Sequence, residues 1–157
     1  MPSEVAPVAV FAFNRPDHPS QCLVALEANE TASVTDVIVF CDGERGAADS
    51  QGARETRAIA RLSWGFRSVT VVERSRNLGL SANITQGITQ LRGSDETVIV
   101  GDDDLVVASS FLNYMNAGLA QYRFDSNIAS IRGFVYRTDR ILPEPFSLGG
   151  ADCWGWA

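Results

Sequence analysis

The sequence predicts an α/β fold in which a mostly parallel sheet lies between two layers of helices. Five short apolar runs of strand length alternate with segments whose apolar residues recur at helical spacing. The runs are almost continuously hydrophobic, which is typical of strands covered on both faces. This alternating order favours a three-layer α/β/α sheet joined by right-handed crossovers.

The predicted elements follow one another along most of the chain. The strands are rich in Val, Ile or Phe and cover residues 8–13, 36–43, 68–75, 96–104 and 127–134. The helices each carry an apolar stripe and cover residues 18–29, 50–62, 81–92 and 109–123. We interpret these stripes as core packing, since periodic apolar faces most often pack against a sheet.

Length and composition predict one globular domain. A chain of 157 residues can bury a substantial core, so we expect a single domain over 1–157. The net charge of −6 argues against nucleic acid or an anionic membrane surface as the main partner. The N-terminus does not read as a signal peptide, and no apolar run approaches roughly 18 residues. We therefore expect a cytoplasmic protein without a transmembrane segment.

Several common nucleotide and metal motifs are missing. The stretch "FNRPDHP" stands after the first strand where a GxGxxG dinucleotide motif would be expected. The chain contains no lysine, which excludes a P-loop and the lysine of a phospho-acceptor receiver domain. Cys22, Cys41 and Cys153 are far apart and the chain has one histidine, so a zinc site or disulfide framework is not expected.

Polar residues follow four of the predicted strands. In parallel sheets, ligands bind outside the carboxyl ends of the strands, so these residues are predicted to converge on one edge. In chain order they are Asn14 and Arg15, then Asp42, then Arg74, Arg76 and Asn77, and finally Asp102, Asp103 and Asp104.

The acidic block at the end of the fourth strand predicts a divalent cation site. Carboxylate oxygens are ligands for Mg²⁺ or Mn²⁺, and the cation would offset the repulsion among three adjacent aspartates. Strand alternation would put Asp102 and Asp104 on one side and Asp103 on the other. The alternative is a solvated acidic loop that leads into the next helix, where negative charge is favourable without a metal.

Five segments together resemble the GT-A glycosyltransferases. They are "VAVFAFNRPDH", "VIVFCDG", "RNLGLSANI", "GDDDLVVASSFLNYMNAGL" and "GADCWGWA", and they cover almost the whole chain in the expected order. The resemblance is closest to family-2-like bacterial members and to the N-acetylglucosaminyltransferase I group. It implies a Rossmann-like sheet, a UDP- or GDP-sugar donor and a divalent metal, usually Mn²⁺.

The resemblance also implies roles for individual residues. Asp42 would face the base, and Arg76 and Asn77 would contact the nucleotide or its diphosphate. Asp104 would ligate the metal directly, with Asp102 sharing the site. The residues beside the nucleotide and its sugar would be Asn14, Arg15, Asp42, Arg76, Asn77, Asp102 and Asp103.

Structural alternatives remain open for several of these residues. Residues 14–16 and the pair 42–43 are common turn sequences, and Arg76 could be a solvated surface charge. Trp154 and Trp156 could stack on a sugar face, but packing in the core or at an edge explains them at least as well.

The implied reaction is inverting transfer of a hexosyl or N-acetylhexosaminyl group to a hydroxyl acceptor. In the family, the segment resembling "GADCWGWA" precedes the acceptor-binding part and the general base, and Asp152 does not match that base. We therefore assign no base and expect a donor-binding part whose acceptor-binding part is missing. The alternative is a nucleotide-sugar-binding module without transferase activity. A nucleotidyltransferase is disfavoured, because its Gly-rich loop and downstream lysine are absent.

Overall fold

The computed structural model describes residues 5–91, 97–133 and 157. Its strands are β1 (Val8–Ala12), β2 (Asp36–Cys41), β3 (Ser68–Glu73) and β4 (Ile99–Asp102). Its helices are α1 (Asp17–Glu27), α2 (Ser50–Ala60), α3 (Leu80–Leu91) and α4 (Phe111–Tyr122). Short 3₁₀ turns cover Ala32–Val34 and Ala47–Asp49. No helix within the described ranges is both long and apolar enough to cross a lipid bilayer.

The four strands form one parallel sheet in the order β3-β2-β1-β4. Buried residues of α1, α2 and α4 pack with one face of this sheet. Partly buried residues of α3 pack with the opposite face. The predicted three-layer α/β architecture is confirmed, with α3 as the connection that returns the chain from β3 to β4 on the second face.

Strand β1 lies at the centre of the sheet and is buried along its whole length. Val8 and Val10 face the α1 side, while Ala9 and Phe11 face the α3 side. Phe11 stacks on Phe40 of β2, with 5.0 Å between the ring centroids. Burial of each large apolar side chain stabilises the fold by about 1.5–3 kcal/mol. The continuous apolar character of the run follows from coverage on both faces.

Two amide side chains, one buried and one partly buried, fix the helix that follows the acidic block. Asn29, just after α1, accepts a hydrogen bond from the Leu112 backbone N–H at 2.9 Å. Asn116 of α4 accepts one from the Ala6 backbone N–H at 2.9 Å. Both bonds satisfy backbone donors that lack a partner in their own element. They fix the start of α4 relative to β1 and α1, and so limit the path of residues 103–110.

The predicted fifth strand is wrong for the part of 127–133 that the structure describes. This segment contains turns and a single bridge residue, with no strand. The Asp125 carboxylate accepts the backbone N–H of Asn127 at 3.0 Å, which closes a local turn that competes with strand pairing. Ile131 exchanges two backbone hydrogen bonds with Ala157, and its side chain meets Gly118 of α4. Ile131 therefore covers part of α4, while Ile128 is exposed.

Gly87 of α3 allows the helix to approach the stacked Phe11–Phe40 pair. A Cβ at this position would lie 2.7 Å from Phe11 Cε1 and 3.3 Å from Phe40 Cδ2. Gly87→Ala is therefore expected to lower the free energy of unfolding by about 1–3 kcal/mol through overpacking. Helix propensity alone predicts the opposite effect, an increase of about 0.5–1 kcal/mol in the free energy of unfolding. Urea unfolding measures the difference, and Gln86→Ala on the exposed face of α3 is the control. A Gly87→Ala protein as stable as wild type would contradict the packing.

Candidate donor and metal site

The strand-end segments meet at the carboxyl edge of the sheet through backbone hydrogen bonds. The N–H of Asp42 donates to the Ala12 carbonyl at 2.9 Å. The N–H of Asp103 donates to the Phe11 carbonyl at 3.1 Å. The residues that follow β2 and β4 are thus held on either side of the end of β1.

Asp103 is the buried member of the acidic block. Its residue is 2% exposed, and its Oδ1 accepts a hydrogen bond from Arg15 Nη2 at 2.8 Å. The same Arg15 nitrogen lies 3.8 Å from Asp104 Oδ2. Asp103 Oδ2 is buried and has no hydrogen-bond partner among the described residues. One guanidinium therefore faces two carboxylates, and the described residues supply no donor to the second oxygen of Asp103.

Strand alternation does not extend to Asp104, which corrects its predicted placement on the same side as Asp102. β4 ends at Asp102, and Asp103 and Asp104 lie in the turn that follows. Asp102 is in register with Phe11, whose side chain faces α3. Asp103 instead pairs with Arg15, at the start of the segment leading into α1. The turn thus sets Asp103 and Asp104 near one another, while Asp102 is placed by the strand.

His18, in the first turn of α1, joins Asp103 and Asp104. One ligand atom from each of the three residues lies within 4.8 Å of the other two. His18 Nδ1 is buried and lacks a hydrogen-bond partner in the described part of the chain. An imidazole nitrogen with two carboxylate oxygens is a donor set that fits a divalent transition metal. The sequence prediction missed His18, although it lies three residues after Arg15 and is the chain's one histidine.

The electrostatics of the block reflect burial more than pairing. Burial raises the pKa of both Asp102 and Asp103, and the charge on Asp104 raises them further. Arg15 acts in the opposite direction on both. Cys22 of α1 lies beneath the block, and burial together with the aspartates raises the pKa of its thiol to about 12.

Asp42 has a different environment, because both of its oxygens are satisfied by protein donors. The residue is 4% exposed. Oδ1 accepts the backbone N–H groups of Gly43 and Leu78, each at 2.8 Å. Oδ2 accepts the Gly79 N–H at 3.0 Å and Asn77 Nδ2 at 3.1 Å. Asp42 therefore binds the loop before α3 to the end of β2.

Two glycines make this close loop contact possible. A Cβ on Gly43 would lie 2.6 Å from the Cα of Arg76 and nearer still to its carbonyl group. Gly79 has a φ of 77°, a left-handed conformation that other residues rarely adopt. The Arg76 side chain is exposed. Its backbone, rather than its charge, makes the contact with the segment after β2.

Asn14 belongs to a third cluster of polar side chains at the same edge, together with Asp49 and Arg45. Its amide donates to Asp49 Oδ1 at 2.6 Å. Arg45 Nε donates to Asp49 Oδ2 at 2.9 Å, and the Arg45 guanidinium lies over the Phe13 ring. The Arg45 hydrogen bond lowers the pKa of Asp49. The loop after β1 is thereby anchored to the segment that precedes α2.

The predicted site residues thus fall into separate groups along the edge. Arg15 lies with Asp103 and Asp104, whereas Asn77 lies with Asp42 and Asn14 lies with Asp49. The group that could hold a metal includes Asp104 but not Asp102. The roles predicted for these residues in donor and metal binding stay predictions. A cleft of about 680 Å³ lies between the segments after β2 and β3 and is lined in part by Arg45, Arg57 and Arg74.

Asp42→Asn should destabilise the protein, because an amide places an N–H₂ group against donors that need an acceptor. We expect the free energy of unfolding to fall by about 1.5–3 kcal/mol, the range for disrupted bonds to a charged group. Urea unfolding monitored by circular dichroism measures this loss. Asp125→Asn, in the exposed turn after α4, is the matched control. Equal stability of the Asp42→Asn and wild-type proteins would show that the loop does not depend on this carboxylate.

Asp102→Asn should stabilise the metal-free protein at neutral pH. Burial raises the folded-state pKa of Asp102 above its ordinary value of 3.8, so its ionised form disfavours folding. When folding raises the pKa of an acid, its ionised form lowers stability at pH values above the folded-state pKa. This loss of stability vanishes at pH values below the unfolded-state pKa. The Tm in EDTA is therefore expected to rise at pH 7 and to match wild type near about pH 3. Asp17→Asn is the control and should lower the Tm slightly, since it removes a charge from a helix N-terminus. An Asp102→Asn protein with a lower Tm at pH 7 would contradict this account.

Comparisons with known proteins place the chain in a family. The family model described as "Glycosyl transferase family 2" matches residues 8–147. A solved structure that is similar is the mannosyltransferase PcManGT from Pyrobaculum calidifontis in complex with GDP-Man and Mn²⁺. The identity is 19% and the TM-score 0.49, and the match covers 83% of this chain but only 38% of that one. No curated protein matches. The parallel sheet flanked by helices is consistent with the GT-A fold, and the chain belongs to glycosyl transferase family 2.

Proposed function

We propose that this chain is the donor-binding part of a metal-dependent glycosyltransferase that uses a UDP- or GDP-sugar. The observation that carries the proposal is the Arg15–Asp103–Asp104 group at the carboxyl end of β4. It combines a cation suited to phosphate with carboxylates suited to a metal, in a chain of glycosyl transferase family 2. The proposed site occupies the edge at which parallel sheets bind ligands.

The metal in this proposal is Mn²⁺ or Mg²⁺, held by Asp104 with Asp102 nearby. Asp104 suits this role because its side chain is 46% exposed and can reach a bound diphosphate. The metal would supply Lewis-acid stabilisation of the departing nucleoside diphosphate. Asp103 supports the site from below, since its buried carboxylate holds Arg15 beside Asp104.

Arg15 is proposed to bind the donor diphosphate. Its side chain is 52% exposed, so one part of the guanidinium reaches solvent while another contacts Asp103. Arginine offers several N–H donors in a fixed plane, which matches phosphate oxygens in pairs. A group anchored in this way is oriented before the donor binds, which lowers the entropic cost of binding.

The nucleoside would lie along the edge between β1, β2 and the loop before α3. We propose that Asp102 contacts the ribose and that Asn14, Arg76 and Asn77 border the nucleotide. Asp42 is proposed to contact the base. Since its four protein hydrogen bonds hold residues 77–79 in place, it would also shape the surface on which the base rests.

The acceptor side of the reaction is proposed from the family resemblance alone. We propose inverting transfer of a hexosyl or N-acetylhexosaminyl group to a hydroxyl, as in the N-acetylglucosaminyltransferase I group. Inversion requires a base within hydrogen-bond reach of the acceptor hydroxyl, and we assign that role to no residue of 1–157. The segment with Asp152, Trp154 and Trp156 lies outside the described residues. Cytoplasmic location stays a prediction from the sequence.

Calorimetric titration with GDP and UDP tests donor binding. We expect one of the two nucleotides to bind in the presence of Mn²⁺ and to bind at least about tenfold more weakly in EDTA. Asp104→Asn should reduce the Mn²⁺-dependent affinity by about tenfold or more, because it removes a charged metal ligand. Glu55→Gln, an exposed carboxylate on α2, should leave the affinity unchanged.

Two outcomes would contradict the proposal. One is the absence of Mn²⁺-dependent binding of either nucleotide, and the other is unchanged binding by Asp104→Asn. Metal-dependent binding without hydrolysis or transfer of a sugar from any UDP- or GDP-sugar would instead support the alternative, a nucleotide-sugar-binding module.

A further inference from the structure

We propose that His18 supplies a nitrogen ligand to the divalent metal at the end of β4, together with Asp103 and Asp104. The inference rests on the proposed function only in requiring that a metal binds there. It adds a ligand from α1, so that the metal would connect the segment after β1 to the turn after β4. Neither the acidic block nor the family match assigns a role to this histidine.

The local backbone places His18 beside the acidic turn. Its N–H donates to the Arg15 carbonyl at 3.1 Å, which closes the turn that leads into α1. Pro16 and Pro19 flank it, and Pro19 is buried. Proline restricts φ at both positions and therefore reduces the freedom of the first turn. The same short turn delivers Arg15 and His18 to the same pair of carboxylates.

Two buried atoms without partners point to a ligand at this place. His18 Nδ1 and Asp103 Oδ2 are both buried, and neither has a hydrogen-bond partner among the residues the structure describes. Leaving a buried polar atom unsatisfied costs about 1–3 kcal/mol, so such atoms usually have a structural or functional reason. Asp103 as a whole is 2% exposed. A cation bound by both residues would satisfy both atoms at once.

The charges of the group are compatible with this ligand set. Arg15 now faces Asp103 and Asp104, at 2.8 and 3.8 Å. Its side chain is 52% exposed, so its remaining N–H groups can bind a diphosphate while Nη2 stays on Asp103 Oδ1. A divalent cation would then neutralise the two carboxylates, while Arg15 would bind the negative charge that the donor brings.

The nitrogen ligand predicts which metals the site favours. Imidazole nitrogen binds transition metals well, whereas Mg²⁺ prefers a full set of oxygen ligands. A site with His18 should therefore favour Mn²⁺ and the later transition metals over Mg²⁺ more strongly than an all-carboxylate site would. Replacing the histidine should reduce that preference.

The chain has a single histidine, which makes the experiment direct. Pulsed electron paramagnetic resonance on Mn²⁺ bound to the untagged protein, with the nucleotide that binds best, detects ¹⁴N nuclei coordinated to the metal. We expect histidine nitrogen coupling in wild type and none in His18→Gln. We also expect His18→Gln to weaken Mn²⁺ binding about tenfold and Mg²⁺ binding less. Gln21→Ala, on the exposed face of α1, is the control and should keep both the coupling and the affinity.

The possible results separate this inference from the proposed function. Mn²⁺ bound without histidine nitrogen coupling would overturn the role of His18 and leave a carboxylate-only metal site. Absence of Mn²⁺ binding would overturn both. If His18→Gln fails to fold, the wild-type spectrum decides alone, since no other histidine can give the signal.

Discussion

The parallel pairing of β1 with both β2 and β4 is the constraint on which the rest of the structure depends. This central strand is buried on both faces and aligns the carboxyl ends of its neighbours with its own. The backbone bonds of Asp42 and Asp103 to the end of β1 continue that alignment into the loops. Segments that lie about 30 and about 90 residues after β1 in the sequence thereby meet at one edge, as in other open parallel sheets.

Two buried aspartates at this edge differ in how fully their carboxylate oxygens are hydrogen-bonded. Asp42 accepts four hydrogen bonds and holds two loops together, so its charge is fully compensated within the protein. Asp103 accepts one from Arg15, and its other oxygen has no partner within the described part of the chain. Burial raises the pKa of Asp103. Satisfied buried charges stabilise a scaffold, whereas incompletely satisfied ones indicate a site for a ligand. By this criterion, the metal and the diphosphate belong at the end of β4.

Much of the fold follows from hydrophobic patterning, but the site depends on contacts between distant residues. Continuous apolar runs identified β1 to β4, and the strand order placed their polar ends together. The predicted strand at 127–134 is wrong over the described residues 127–133, because Asp125 favours a local turn and Ile131 covers α4. Hydrophobic periodicity records neither contact. The predicted grouping of Asp104 with Asp102 was wrong, because the strand ends at Asp102 and the turn after it brings Asp104 beside Asp103. The position of His18 could not be predicted, since it depends on how the first turn of α1 meets the turn after β4.

A crystal structure with Mn²⁺ and the preferred nucleoside diphosphate tests the central claim most directly. Anomalous scattering at the manganese edge locates the metal without assumptions about the ligands. The account predicts one peak in contact with Asp104 at the end of β4, with the diphosphate beside Arg15. A metal or diphosphate bound instead in the cleft near Arg45 and Arg57, away from the acidic block, would contradict it.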